Sequence, residues 1–274
     1  MKENENSKKI NKCIYCQAKD VELTDEHVMP FALGWDLVLE KAVCKVCQVI
    51  TGKCEPEQLK RIWAEVRACI GIRSRRRKFA TETFPLEVVL NDGTHTTLNL
   101  KSDEVLGMAQ FLEYDLPASI KPDIRYTGGI NIKSISNYNF GIKPETLAKK
   151  YHIKEIKQTT VYKGNLFAQM LAKIAYCFTI FTFGPDYLEE CFVLPLILGQ
   201  DENPGLYIGC DETGQFFPRI GKQKNGLHAI KLFVHEIEES PVTLIEVKIK
   251  FFASAVSETP EYIVIVGTRK KSQD

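Results

Sequence analysis

The chain has 274 residues, enough for one large domain or two modest ones with real cores. A 44% hydrophobic and 26% charged composition is that of an ordinary globular protein, and a net charge of +1 argues against binding a polyanion through bulk charge alone. No run reaches about eighteen uninterrupted apolar residues, and the polar start lacks the apolar stretch of a secretory signal, so the expectation is a cytoplasmic protein without a membrane span.

Taken in order, residues 1–11 are rich in Lys, Glu and Asn and are expected to be disordered. Residues 12–55 hold two Cys-x-x-Cys pairs, Cys13-Ile14-Tyr15-Cys16 and Cys44-Lys45-Val46-Cys47, separated by twenty-seven residues. Each pair can form a tight knuckle offering two thiolates, and two knuckles complete a closed tetrahedral site. That spacing predicts a structural Zn²⁺ with no open position for substrate, and a module that unfolds when the metal is lost. Cys54, Cys69, Cys177, Cys191 and Cys210 share no such spacing and read as small buried hydrophobes.

Leu59, Ile62, Trp63, Val66 and Ile70 recur near a 3.6-residue period and predict a helix over 56–71, able to extend back to Lys45 with a bend at Gly52 and Pro56. The basic run Arg73, Arg75, Arg76, Arg77, Lys78 follows, and with Arg61 and Arg67 it is expected to contact a nucleic-acid backbone. A domain boundary is placed at 79/80. Beyond it, Asn91-Asp92-Gly93 predicts a hairpin between strands 86–90 and 96–100. Residues 103–125 give no clear pattern and 129–136 reads as a strand. The segment 165–183 is apolar nearly all round, with Lys173 and Gln169 as polar exceptions, and predicts a helix buried in a core. Strands are expected near 192–198, 206–210, 227–235, 242–252 and 261–267. His95, His152, His228 and His235 are read as structural or exposed.

Between the cysteine pairs lie Leu23-Thr24-Asp25-Glu26-His27-Val28-Met29-Pro30 and Leu33-Gly34-Trp35-Asp36. An acidic residue followed by His and an apolar-apolar-Pro step, then a Leu-Gly turn, all between two cysteine pairs, resembles the HNH endonuclease family over residues 12–78. The resemblance implies an α+β chain: an HNH-like ββα-metal module over 12–79 and a larger mixed α+β domain over 80–274. It implies a metal-dependent endonuclease that hydrolyses DNA, His27 as general base, Asp36 orienting its imidazole, and Glu26 with Gln48 holding a catalytic Mg²⁺ or Mn²⁺. Glu55 is a further candidate ligand. Asp36 and Gln48 depart from the usual family residues, so the alternative is a decayed zinc-stabilised module that binds nucleic acid or protein. Part of the second domain (167–175 and 251–254) is similar to the long second part of some bacterial HNH proteins. That similarity suggests a role in defence against foreign DNA and a homodimer formed through 80–274.

Overall fold

The computed structural model describes residues 5–72, 83–121, 126–157, 162–212, 227–254 and 258–271. The architecture is mixed α+β, with several small sheets, of which the N-terminal and C-terminal ones pack on one long helix. Strands β1 (Ser7–Lys9), β2 (Leu23–His27) and β3 (Val38–Cys44) form the first sheet, in which β3 is central, parallel to β1 and antiparallel to β2. Helix α1 (Lys45–Thr51) leaves directly from the end of β3. The helix expected over 56–71 is two pieces: a π-helical turn (Glu57–Ile62) and α2 (Ala64–Cys69), joined at Trp63. The wider turn leaves the carbonyl of Leu59 to the Arg67 guanidinium, whose Nη1 donates to it at 3.0 Å while Nε donates to the Ala32 carbonyl at 2.7 Å. Arg67 is therefore buried and bonded inward, which corrects its expected place in a phosphate-facing cluster.

The predicted hairpin is present as β4 (Thr83–Leu90) and β5 (His95–Lys101). Gly93 turns at a φ of +87°, and the Asp92 carboxylate accepts the Thr94 N–H at 2.9 Å, the local bond that favours Asp in such turns. Next come β6 (Met108–Tyr114), paired with β7 (Ile132–Asn139), then α3 (Pro144–Tyr151) and β8 (Ile153–Lys157), which joins the hairpin alongside β4. Helix α4 (Gly164–Phe183) is the helix expected from 165–183. It is long and apolar enough to cross a membrane, but most of its side chains are buried in the protein interior.

Residues 192–198 depart from the expected strand. Strand β9 (Glu190–Cys191) precedes them, and α5 (Leu194–Ile197) takes their place, with Pro195 in its first turn where a missing N–H costs nothing. The remaining strands, β10 (Ile208–Cys210), β11 (Ala229–Glu236), β12 (Val242–Lys250) and β13 (Glu261–Lys270), form an antiparallel sheet in the order β10-β13-β12-β11, with β9 also on β13. Alternation along β12 turns Ile245, Val247 and Ile249 to the core, while Lys250 on the other face pairs with Glu261 at 2.9 Å.

The expected boundary at 79/80 lies outside the described residues. One cluster of buried side chains nevertheless runs from Cys13 through Trp63, Phe111 and α4 to Val266; a smaller one fills the space between α3 and the β5-β4-β8 sheet. Trp63 is fully buried, its ring centroid 4.9–5.9 Å from those of Phe111, Phe167, Phe251 and Phe252, and its indole N–H donates to the Gln110 carbonyl at 3.2 Å.

His228 forms a second tie between the first seventy residues and the C-terminal strands. Its Nε2 lies 2.9 Å from the Leu33 carbonyl and its Nδ1 accepts the Phe252 N–H at 3.1 Å, so the ring is neutral with its proton on Nε2. Burial lowers its pKa to about 4 from the ordinary 6.5. Because the folded value lies below the unfolded one, this contribution is complete above pH 6.5 and is lost as pH falls towards 4. The loss is about 3 kcal/mol at full protonation. Urea-unfolding midpoints measured across this window should fall more steeply for the native chain than for His228→Gln, which keeps a donor and an acceptor but cannot titrate. Parallel profiles would contradict the assignment.

Candidate metal centre

The first knuckle is shaped by its backbone. Gln17 takes a left-handed φ of +62° and its N–H returns to the Cys13 carbonyl at 2.8 Å, while the Cys13 N–H meets the Ala18 carbonyl at 2.8 Å. The Ile14 N–H bonds the Ala42 carbonyl at 2.8 Å, which docks this knuckle on β3. The second knuckle is the junction of β3 and α1, with Cys44 ending the strand and Cys47 in the first turn of the helix.

The sulfurs of Cys13, Cys16, Cys44 and Cys47 all lie within 4.8 Å of one another. Cys16 and Cys44 stand 3.7 Å apart, against about 3.8 Å between ligands of a tetrahedral ion with Zn–S bonds near 2.3 Å. The N–H of Ala18 points to the Cys16 sulfur and that of Cys47 to Cys44, the outer bonds that stabilise a thiolate. The Cys47 N–H draws the Cys44 thiol down to about 7, whereas burial and the neighbouring thiols push Cys47 up. A cation among the sulfurs relieves that mutual repulsion, so this donor set fits a metal such as zinc. With four protein ligands and three of the cysteines buried, the site is closed.

The other residues singled out in the sequence fall into separate surroundings. His27 ends β2 opposite Val38, half-buried, with its ring 5.6 Å from that of Phe31. Asp36 is exposed and accepts from the Asn6 amide at 2.7 Å. Gln48, on α1, donates to the Thr24 hydroxyl at 3.1 Å, and its carbonyl oxygen faces the Lys45 ammonium at 3.5 Å. Glu26 is turned into the core, where its carboxylate meets Lys173 of α4 at 2.8 Å and accepts from the Tyr15 hydroxyl at 3.3 Å. The same ammonium reaches Glu55 at 2.6 Å. Glu26 and Gln48, the pair expected to hold a catalytic Mg²⁺ or Mn²⁺, are thus engaged by different partners. Arg73, Arg75, Arg76, Arg77 and Lys78 lie outside the described residues.

Reading the sequence as a module with a separate second domain overlooks Lys173 and Tyr15 as partners of the Glu26 strand. The signal for Lys173 was visible: a lone lysine in an otherwise apolar helix needs a buried counter-charge. Burial works against its charge, but Glu26 and Glu55 outweigh this and hold its pKa above the ordinary lysine value. Tyr176, one turn from Lys173, donates to the Ile14 carbonyl at 2.6 Å and fixes the first knuckle on α4.

Comparison with known protein families, curated proteins and solved structures gives no match to this chain.

Removing the metal with a strong chelator should loosen the whole knuckle loop, because the four clustered sulfurs then lose the cation that ties the two knuckles together. The two tryptophans report separately on this: Trp35 lies in the loop and Trp63 in the aromatic core. Tryptophan emission should shift to the red on chelation and return on adding Zn²⁺, with a larger change in Trp63→Phe, which leaves Trp35 as sole reporter. An unchanged spectrum would contradict a structural metal.

Proposed function

We propose that the chain is an HNH-type endonuclease that hydrolyses phosphodiester bonds of DNA, built on a zinc-stapled ββα module with His27 as general base. The observation that carries this reading is the order and pairing of elements between the cysteine pairs. β2, ending in His27, pairs antiparallel with β3, and β3 runs straight into α1 at the second cysteine pair. A half-buried imidazole at a strand end, next to a closed structural site, suits general-base work near neutral pH. In this reading His27 takes a proton from the attacking water, and Arg73, Arg75, Arg76, Arg77 and Lys78 hold the phosphate backbone. Such contacts grip the backbone without reading sequence.

The resemblance also implies a divalent ion, Mg²⁺ or Mn²⁺, which would neutralise charge on the phosphate. Glu26 does not fit that role, because its carboxylate is buried against Lys173. This supports a second reading, a zinc-stabilised module that binds nucleic acid after losing catalysis.

Supercoiled plasmid incubated with the zinc-loaded protein, in Mg²⁺, Mn²⁺ or Ni²⁺, separates the two. The nuclease reading expects nicked product, with the rate in His27→Ala lower by about 10²- to 10⁴-fold at unchanged zinc content. Salt-sensitive DNA binding with no cleavage in any ion would support the second reading and refute the first.

A further inference from the structure

Three distant segments meet at one nitrogen. Glu26 comes from the end of β2, Glu55 from the segment after α1, and Lys173 from the middle of α4. Two carboxylates brought to one point repel unless a cation is shared between them, and the Lys173 ammonium is that cation, 2.8 Å from one and 2.6 Å from the other. The lysine is almost completely buried, and its neighbours along the helix, Met170, Leu171, Ala172, Ile174 and Ala175, are buried apolar side chains. It has no solvated position to retreat to if another cation arrives. A hydrated Mg²⁺ also needs near-octahedral oxygen ligands and gives up its waters reluctantly, whereas the free oxygen of Glu26 is already bonded by Tyr15.

We infer that Lys173 is the resident cation of a two-carboxylate seat, and that Glu26 and Glu55 bind no divalent metal in the native protein. The seat positions rather than catalyses. It fixes Glu26 inward, and because neighbouring side chains on a strand point to opposite faces, it sets the face on which His27 is presented. Lys173 thus holds the His27 strand to α4 in the place where the family resemblance puts a metal ligand. The inference goes beyond the nuclease reading and stands whether or not the chain cleaves DNA.

Mn²⁺ titrations of the full zinc-loaded chain, read by the loss of the free-ion EPR signal, test it together with thermal melts. In the native chain, Glu26→Gln should leave Mn²⁺ binding unchanged. In Lys173→Met the melting temperature should fall by about 10 °C, because the buried Glu26 and the half-buried Glu55 lose their shared cation. Millimolar Mn²⁺ should restore part of that loss, and the restoration should vanish in Lys173→Met/Glu26→Gln. Native Mn²⁺ binding abolished by Glu26→Gln would overturn the inference, as would a Lys173→Met protein that melts like the native chain. If Lys173→Met fails to fold, the double variant, which removes charge from both partners, should still fold; equal failure of the two would also overturn it. Cleavage is not among these readouts, so loss of nuclease activity and failure of this inference remain distinct results.

Discussion

Four thiols drawn within 4.8 Å of one another form the constraint on which the N-terminal part of the molecule rests. Left to themselves, thiolates this close repel; with a bound cation they become a cross-link that closes a twenty-seven-residue loop. That loop contains β2, the Leu33-Gly34 turn and β3, a sheet too small to stabilise itself. Gly34 completes the turn at a φ of +79°, where its N–H reaches the Phe31 carbonyl and its neighbour Leu33 is fully buried. The knuckles therefore fix where His27 stands, and any chemistry of that residue depends on them.

The cross-link does not act alone. Tyr176 grips the first knuckle, Lys173 grips the end of β2, and both project from the same stretch of α4. Beside them, Trp63 brings the segment after α1 into the ring of Phe111, Phe167, Phe251 and Phe252, and His228 bonds the Leu33 turn to Phe252. Dispersion supplies most of the adhesion, while the buried charges and the neutral imidazole set the register of one part on another. Disturbing the C-terminal strands should accordingly be felt at His27, although those strands carry no catalytic signature of their own.

Features set by local rules were legible in the sequence. The cysteine spacing located the four sulfurs, Asn91-Asp92-Gly93 located the hairpin, and the apolar run with its single lysine located α4. Features set by tertiary contact were not. Val193-Leu194-Pro195-Leu196-Ile197 is too short for periodicity to separate strand from helix, and the packing of α5 on α4 decides it. Helix α3 and strand β8 leave little signal because each is short and buries few apolar side chains, Leu147 in one and Ile153 in the other. The direction of Glu26 is the instructive case. An acid beside a His suggests a shared site, yet adjacent strand residues diverge, and a buried lysine about 150 residues later in the chain claims the carboxylate.

A single metal ion held by Cys13, Cys16, Cys44 and Cys47 would organise this module. X-ray absorption at the zinc edge of the purified 274-residue chain measures this. About one zinc per chain is expected, surrounded by four sulfurs near 2.3 Å with no bound nitrogen or oxygen. A shell containing imidazole or water, or a chain that is stably folded without metal, would contradict it.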